Sequence, residues 1–351
     1  MFARWHTRLV LFVLFIFPSA SFAQVLADDT DGSSALPAYR STVSEVRVTF
    51  FATDENNHSL ATLSKSDFAV VDNERVVRNF QSFTHSDETS LDVVALVDLS
   101  ESVAPRSRVV MRDVLQLVAQ EQSIPGDDIS VLSFGGASSG TLGDAFAQAS
   151  GGLRPAVLCS SGCRTSGSIK KLSAVKSGGA TPLFDALIFA ADFISQRCHL
   201  SGRHDVRSVL ILFSDGYDTI SLHSAREALQ AVLDEGALIY SVDTGKPDIQ
   251  SSNQVSSNQA TSNQASGSMF LRRVSEATGG RYFPYSPDPS RQDGTSAVLN
   301  AVLEDLRASY VVTYNPPTHE AGLHSLRLLP THNLNLTFHS RNVYDYESGD
   351  H

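Results

Sequence analysis

The stretch Leu91-Asp92-Val93-Val94-Ala95-Leu96-Val97-Asp98-Leu99-Ser100-Glu101-Ser102 decides how this chain is read. Six of the seven residues from Leu91 to Val97 are apolar. A run of that kind suits a strand covered on both faces, as in parallel sheets, better than an alternating half-exposed one. The character then changes at once, because Asp98, Ser100 and Ser102 place oxygen-bearing side chains at alternate positions. They fall at the carboxyl end of the strand, where open α/β sheets bind their ligands. Hard oxygen donors of this kind suit a small hard cation better than a soft metal.

Outward from this strand, the middle of the chain alternates helical and strand patterns. Val109, Val110, Val114, Leu117 and Val118 give Val103–Gln122 a helical apolar stripe. Strands are expected at Ile129–Phe134, Val206–Phe213, Ala237–Val242 and, briefly, Gly280–Phe283. Further helices are expected over Pro182–Gln196, Ser221–Asp234, Met269–Thr278 and Ala297–Leu306. This rhythm predicts a doubly wound, mostly parallel sheet with helices on both faces, over residues 89–308. Within it, SSNQV, SSNQA and TSNQA repeat through Ser251–Ala265. Polar Ser, Asn and Gln supply no core, so 251–268 reads as a solvated low-complexity loop, with recognition as a second reading.

The two flanks differ from the middle and match each other. Val46, Val48 and Phe50 alternate along one strand, and Phe68–Val71 and Val76–Phe83 read as two more around the Asp72-Asn73 turn. About 45 residues are few for an independent core. Strand-like runs return after Ser309, broken by Pro316-Pro317 and Asn333. The economical arrangement is one smaller β-sandwich built from 43–88 and 309–347, with the α/β unit inserted into it.

At the amino end, Met1–Ala23 reads as a secretory signal peptide: Arg4 and Arg8, an apolar core over Leu9–Phe17, and small residues at Ser21 and Ala23. The apolar run is too short to span a bilayer comfortably, so no stable membrane span is expected after cleavage. Residues 24–42 are polar and read as a flexible lead-in. The expected location is therefore the periplasm, the cell envelope or outside the cell. Losing Arg4 and Arg8 takes the net charge from −11 to −13, which disfavours nucleic acid as a partner. Three cysteines, Cys159, Cys163 and Cys198, leave one unpaired if two oxidise. Cys159 and Cys163 make a local pair plausible, and Cys198 with either stays open.

Asp98-x-Ser100-x-Ser102 after one buried strand, Thr181 just beyond Gly178-Gly179, and Asp215-Gly216 after another buried strand resemble, in that order, the metal-ion-dependent adhesion site of von Willebrand factor type A domains. The resemblance covers about Leu91 to Leu306. The flanks are similar to those of exported bacterial proteins with such domains, acidobacterial ones in particular. It implies a metal site of Asp98, Ser100, Ser102, Thr181 and Asp215, with the three hydroxyls binding Mg²⁺ (or Mn²⁺ or Ca²⁺) directly and the two carboxylates directly or through water. It also implies a non-enzymatic binding module whose partner protein offers a carboxylate to the open metal position. The chain departs from the usual wording at Glu101 and Val103. Glu101 sets an extra carboxylate beside the site, which puts the ligand type in question.

Each residue has a plainer reading as well. Ser100 and Ser102 suit caps for the helix near Val103, Thr181 a cap for the helix after Pro182, and Asp215 an ordinary turn. Asp218 reads as a surface acid or a group supporting Asp215. Gly136-Ala137-Ser138-Ser139-Gly140 matches the pattern of a serine-hydrolase elbow at Ser138, but no helix is expected immediately after it. A second functional class is a structural or interaction protein that binds partners without using the metal.

Overall fold

The computed structural model describes residues 45–85, 90–120, 128–135, 154–160, 162–201, 206–245, 258–284 and 294–346. The signal and lead-in segments, the Ser138 motif and residues 251–257 lie outside these. Four strands come first: β1 (Val46–Thr53), β2 (Phe68–Asp72), β3 (Arg75–Val76) and β4 (Ser82–His85). The middle runs β5 (Leu91–Asp98), a one-turn 3-10 helix (Ala104–Arg106), α1 (Ser107–Gln120), β6 (Asp128–Phe134), β7 (Ala156–Cys159), α2 (Ser166–Ser173), α3 (Leu183–Ser201) and β8 (Arg207–Ser214). It continues through α4 (Ala225–Glu235), β9 (Leu238–Asp243), α5 (Asn258–Thr278), β10 (Tyr282–Phe283) and α6 (Gly294–Arg307). Four strands close the chain: β11 (Tyr310–Tyr314), β12 (Gly322–Pro330), β13 (Thr337–Ser340) and β14 (Val343–Tyr346).

The middle forms a six-stranded sheet in the order β10-β9-β8-β5-β6-β7, parallel except for β7. Every residue of β5 is buried, as its apolar run requires. Alternate residues of that strand serve different cores: Val93, Ala95 and Val97 pack with Val114, Leu117 and Val302 of α1 and α6. Val94 and Leu96 pack on the other face with Leu187, Val232 and Leu271 of α3, α4 and α5. Asp92, near the start of β5, is buried but compensated. Arg197 of α3 reaches both Asp92 and Asp128, each at 2.9 Å.

Both chain ends supply the smaller sandwich. One antiparallel sheet runs β13-β1-β11-β4 and the other β14-β12-β2-β3. Between them lies an aromatic core in which Phe50, Phe68, Phe83, Phe338 and Tyr310 stack or tilt against one another. Tyr310 of β11 pairs with His85 of β4, so the chain leaves and re-enters the sandwich on neighbouring strands.

Three readings of the sequence are refined. The expected strand Val76–Phe83 is two strands in different sheets, because β3 pairs with β2 and β4 with β11. The chain crosses between sheets with Val77 and Phe80 turned into the core, which alternation alone does not reveal. The expected loop 251–268 is helical from Asn258 onward, as the start of α5. Asn258–Ser266 contains no proline or glycine to stop a helix, and Leu271 and Val274 anchor the later turns in the core. Finally, β7 and α2 were not anticipated; the former is an antiparallel edge strand whose Cys159 is disulfide-bonded to Cys163. Among the described residues no helix is long and apolar enough to cross a membrane.

Candidate metal centre

Strand order turns around at β5, whose successor β6 lies on one side while β8 lies on the other. At such a switch point the loops leaving neighbouring strands diverge and open a crevice above the carboxyl ends. Val97 pairs with Phe213, so Asp98 and the Ser214-Asp215 pair leave the sheet next to each other. Asp98 is 1% exposed. Its Oδ1 accepts the Ser100 N–H at 2.9 Å and its Oδ2 the Ser214 hydroxyl at 2.8 Å. The first bond folds the chain back so that the Ser100 and Ser102 hydroxyls lie 3.1 Å apart. Gly135, just past β6, closes this turn from the side. It has a φ of +66°, and a Cβ there would stand 2.7 Å from the Ser100 nitrogen.

The loop bearing Thr181 is stitched to both strand ends. Gly178 N–H donates to Leu99 O at 2.7 Å, and Glu101 N–H to Gly179 O at 3.1 Å. On the other side Thr181 N–H donates to the Thr219 hydroxyl at 2.8 Å, and Thr219 N–H to Thr181 O at 2.9 Å. Asp215 accepts Tyr217 N–H at 3.2 Å and hydrogen-bonds with Ser102, joining the first and third loops directly. All five residues expected at the site are thus carried by loops tied into one network at the carboxyl ends of β5 and β8.

The plainer readings of these residues are not what the structure uses. The 3-10 helix at Val103 has no side-chain cap from Ser100 or Ser102. The first turn of α3 is capped from across the loop: Asp218 accepts Phe184 N–H and Ser221 accepts Asp185 N–H, both at 3.1 Å. Asp218 is therefore neither an idle surface acid nor a support for Asp215. It closes the helix that Thr181 precedes.

Burial pushes the Asp98 carboxyl up to about 6, with the Asp215 carboxylate adding to the rise and the Ser100 and Ser214 bonds opposing it. Asp215 is raised as well, chiefly by burial, with Asp243 adding and Ser102 opposing. Among the described residues neither Asp98 nor Asp215 forms an ion pair. Nor is any group of three or more His, Cys, Asp and Glu placed there to hold a metal. A cation at the switch point would instead meet two carboxylates and three hydroxyls, an all-oxygen set that fits a hard divalent ion.

Two contributors escaped the sequence reading. Ser214 orients Asp98, and the signal was a hydroxyl directly before Asp215 at a strand end. Asp243, the last residue of β9, binds the Ser268 and Tyr282 hydroxyls at 2.7 and 2.8 Å and so holds the start of the next segment against Asp215. Its signal was the same: an acid closing a buried strand.

The sequence pattern of the von Willebrand factor type A domain matches residues 92–275, just over half of the chain. The chain therefore belongs to that family, whose domains generally serve as interaction modules. No curated protein matches it. Among solved structures it is similar to proximal thread matrix protein 1 from the mussel byssus, at 15% identity and a TM-score of 0.38, over 67% of this chain and 49% of that one. It thus spans about half the length of the mussel protein. It is also similar to the SpRpn10 VWA domain, at 13% identity and a TM-score of 0.35, over 62% of this chain and 93% of that one.

Proposed function

We propose that this chain is an exported, divalent-cation-dependent protein-binding module acting in adhesion or envelope assembly. The observation that carries the reading is the pair of buried carboxylates, Asp98 and Asp215, set among hydroxyls without a cationic side chain. A buried charge without a partner is costly, and a bound ion removes that cost. Ser100, Ser102 and Thr181 would hold Mg²⁺ or Mn²⁺ through their hydroxyls, with Asp98 and Asp215 binding directly or through water. The ion would supply an electrophilic position for a carboxylate of the partner, since only part of its charge is neutralised by the protein. The role of these side chains is recognition rather than turnover. Ser214 and the Ser100 N–H keep Asp98 aimed. Exposed Glu101 beside the site disfavours strongly acidic partners and favours one offering a single carboxylate. Export rests on the Met1–Ala23 signal pattern and agrees with the Cys159–Cys163 disulfide, a bond typical of oxidising compartments.

Calorimetric titration with Mg²⁺ and Mn²⁺ tests the reading. Asp98→Ala and Thr181→Ala are expected to abolish binding while the far-ultraviolet circular dichroism stays native. Unchanged affinity in both variants would rule the site out. Affinity capture from a cell envelope in Mg²⁺, eluted with chelator, tests the use of the ion: partners retained in chelator would point to binding without it.

A further inference from the structure

At the amino ends of β8 and β9, opposite the metal centre, a cavity of ≈ 130 Å³ lies between the six-stranded sheet and the sandwich. Arg47 of β1, Arg207 of β8 and Arg341 between β13 and β14 all line it, together with Thr49 and Thr278 and with no carboxylate. Two neighbouring cavities show how unusual that lining is within this molecule. One of ≈ 660 Å³ shares Arg47 and Arg341 but adds Glu45, Asp234 and Asp345, so its lining is acidic on balance. Another of ≈ 200 Å³ shares Arg47 and Arg207 and adds Glu235. The three guanidinium groups therefore meet in the smallest space, where nothing acidic joins them.

Arg207 is 8% exposed, and both burial and the nearby Arg47 charge pull its guanidinium down to about 10. Arg341 is half-buried and likewise lowered by burial. It gives one N–H to Arg47 O at 3.0 Å, out of the five that a guanidinium carries. The carbonyl end of α4 at Gly236 offsets part of this positive charge but brings no full anion. We propose that this cavity binds a tetrahedral oxyanion, a phosphate or sulfate group, held by Arg47, Arg207 and Arg341. Guanidinium forks match such oxygens in geometry and charge. The volume suits a group of this size, equal to roughly four waters at about 30 Å³ each. A bound group would join β1 and the β13–β14 turn to β8, and so fasten the sandwich to the inserted unit.

The test uses the full chain in chelator, so that no cation at the opposite end takes part. Inorganic phosphate, inorganic sulfate and phenyl phosphate are titrated against chloride at matched ionic strength, by calorimetry and thermal melting. Binding of a free ion with phenyl phosphate excluded assigns a free oxyanion; phenyl phosphate binding as tightly assigns a group carried on a larger molecule. Both outcomes support the proposal. Arg47→Gln, at an exposed position unlikely to disturb folding, is expected to weaken binding about 10-fold, and Arg341→Gln similarly. No heat and no rise in melting temperature with any probe would overturn it, as would equal affinity in the wild type and both variants.

Discussion

Strand β5 carries an aspartate near each end, and the fold treats them in opposite ways. Asp92 meets Arg197, which also holds Asp128 on the neighbouring strand. Asp98, six residues further on the same buried strand, meets only the Ser100 N–H and the Ser214 hydroxyl. Both are nearly inaccessible to water. The difference shows that this sheet can provide a counter-charge for a buried carboxylate and does so at one end alone. The other end is left dependent on something that the chain does not carry.

The contrast can be broken most sharply by removing the arginine. Arg197→Ala leaves Asp92 buried and unpaired, and urea unfolding should show a loss of about 3 kcal/mol. Asp98→Asn should do the reverse in chelator. Raising that carboxyl from 3.8 to about 6 corresponds to roughly 3 kcal/mol at neutral pH, so the amide is expected to gain about 2 kcal/mol while losing any stabilisation by Mg²⁺. A loss of stability in Asp98→Asn without metal would erase the distinction between the two ends.

The pH dependence sharpens the same point. Because the folded-state value of Asp98 lies above the unfolded one, its contribution is fully present below about pH 4 and is lost as the pH rises through about 6. Asp305, raised by burial to about 6 although Arg281 opposes the rise, slopes the same way. The diagnostic quantity is therefore the wild-type curve minus the Asp98→Asn curve, which should fall between pH 4 and 6 and flatten in saturating Mg²⁺. The smallest effect is expected at Asp218→Ala. Uncapping α3 should cost about 1 kcal/mol in urea and leave calorimetric Mg²⁺ affinity within a factor of two or so of wild type.

Much of this was legible in the residues themselves. The apolar run Leu91–Val97 and its oxygen-rich ending marked both the central strand and the place of the site. What stayed hidden was non-local. Nothing near Asp92 in sequence announces Arg197, 105 positions away, and nothing near Thr181 announces that Asp218 and Ser221 cap its helix. Val76–Phe83 looks continuous because a strand that changes sheets keeps its β-forming residues. Asn258–Ser266 hid its helix because polar residues give no apolar period to count. The pairing of Cys159 with Cys163 was one of several left open, and the short edge strand β7 is too brief for periodicity to detect.

The adjacent exit and return of the chain at His85 and Tyr310 have a mechanical meaning. A pull on anything gripped by the inserted unit reaches the sandwich through two tethers side by side, drawing β4 and β11 along together. Their mutual ladder carries little of that load. The tension falls instead as shear on the five-residue register between β11 and β1, where the hydrogen bonds must fail together rather than one after another.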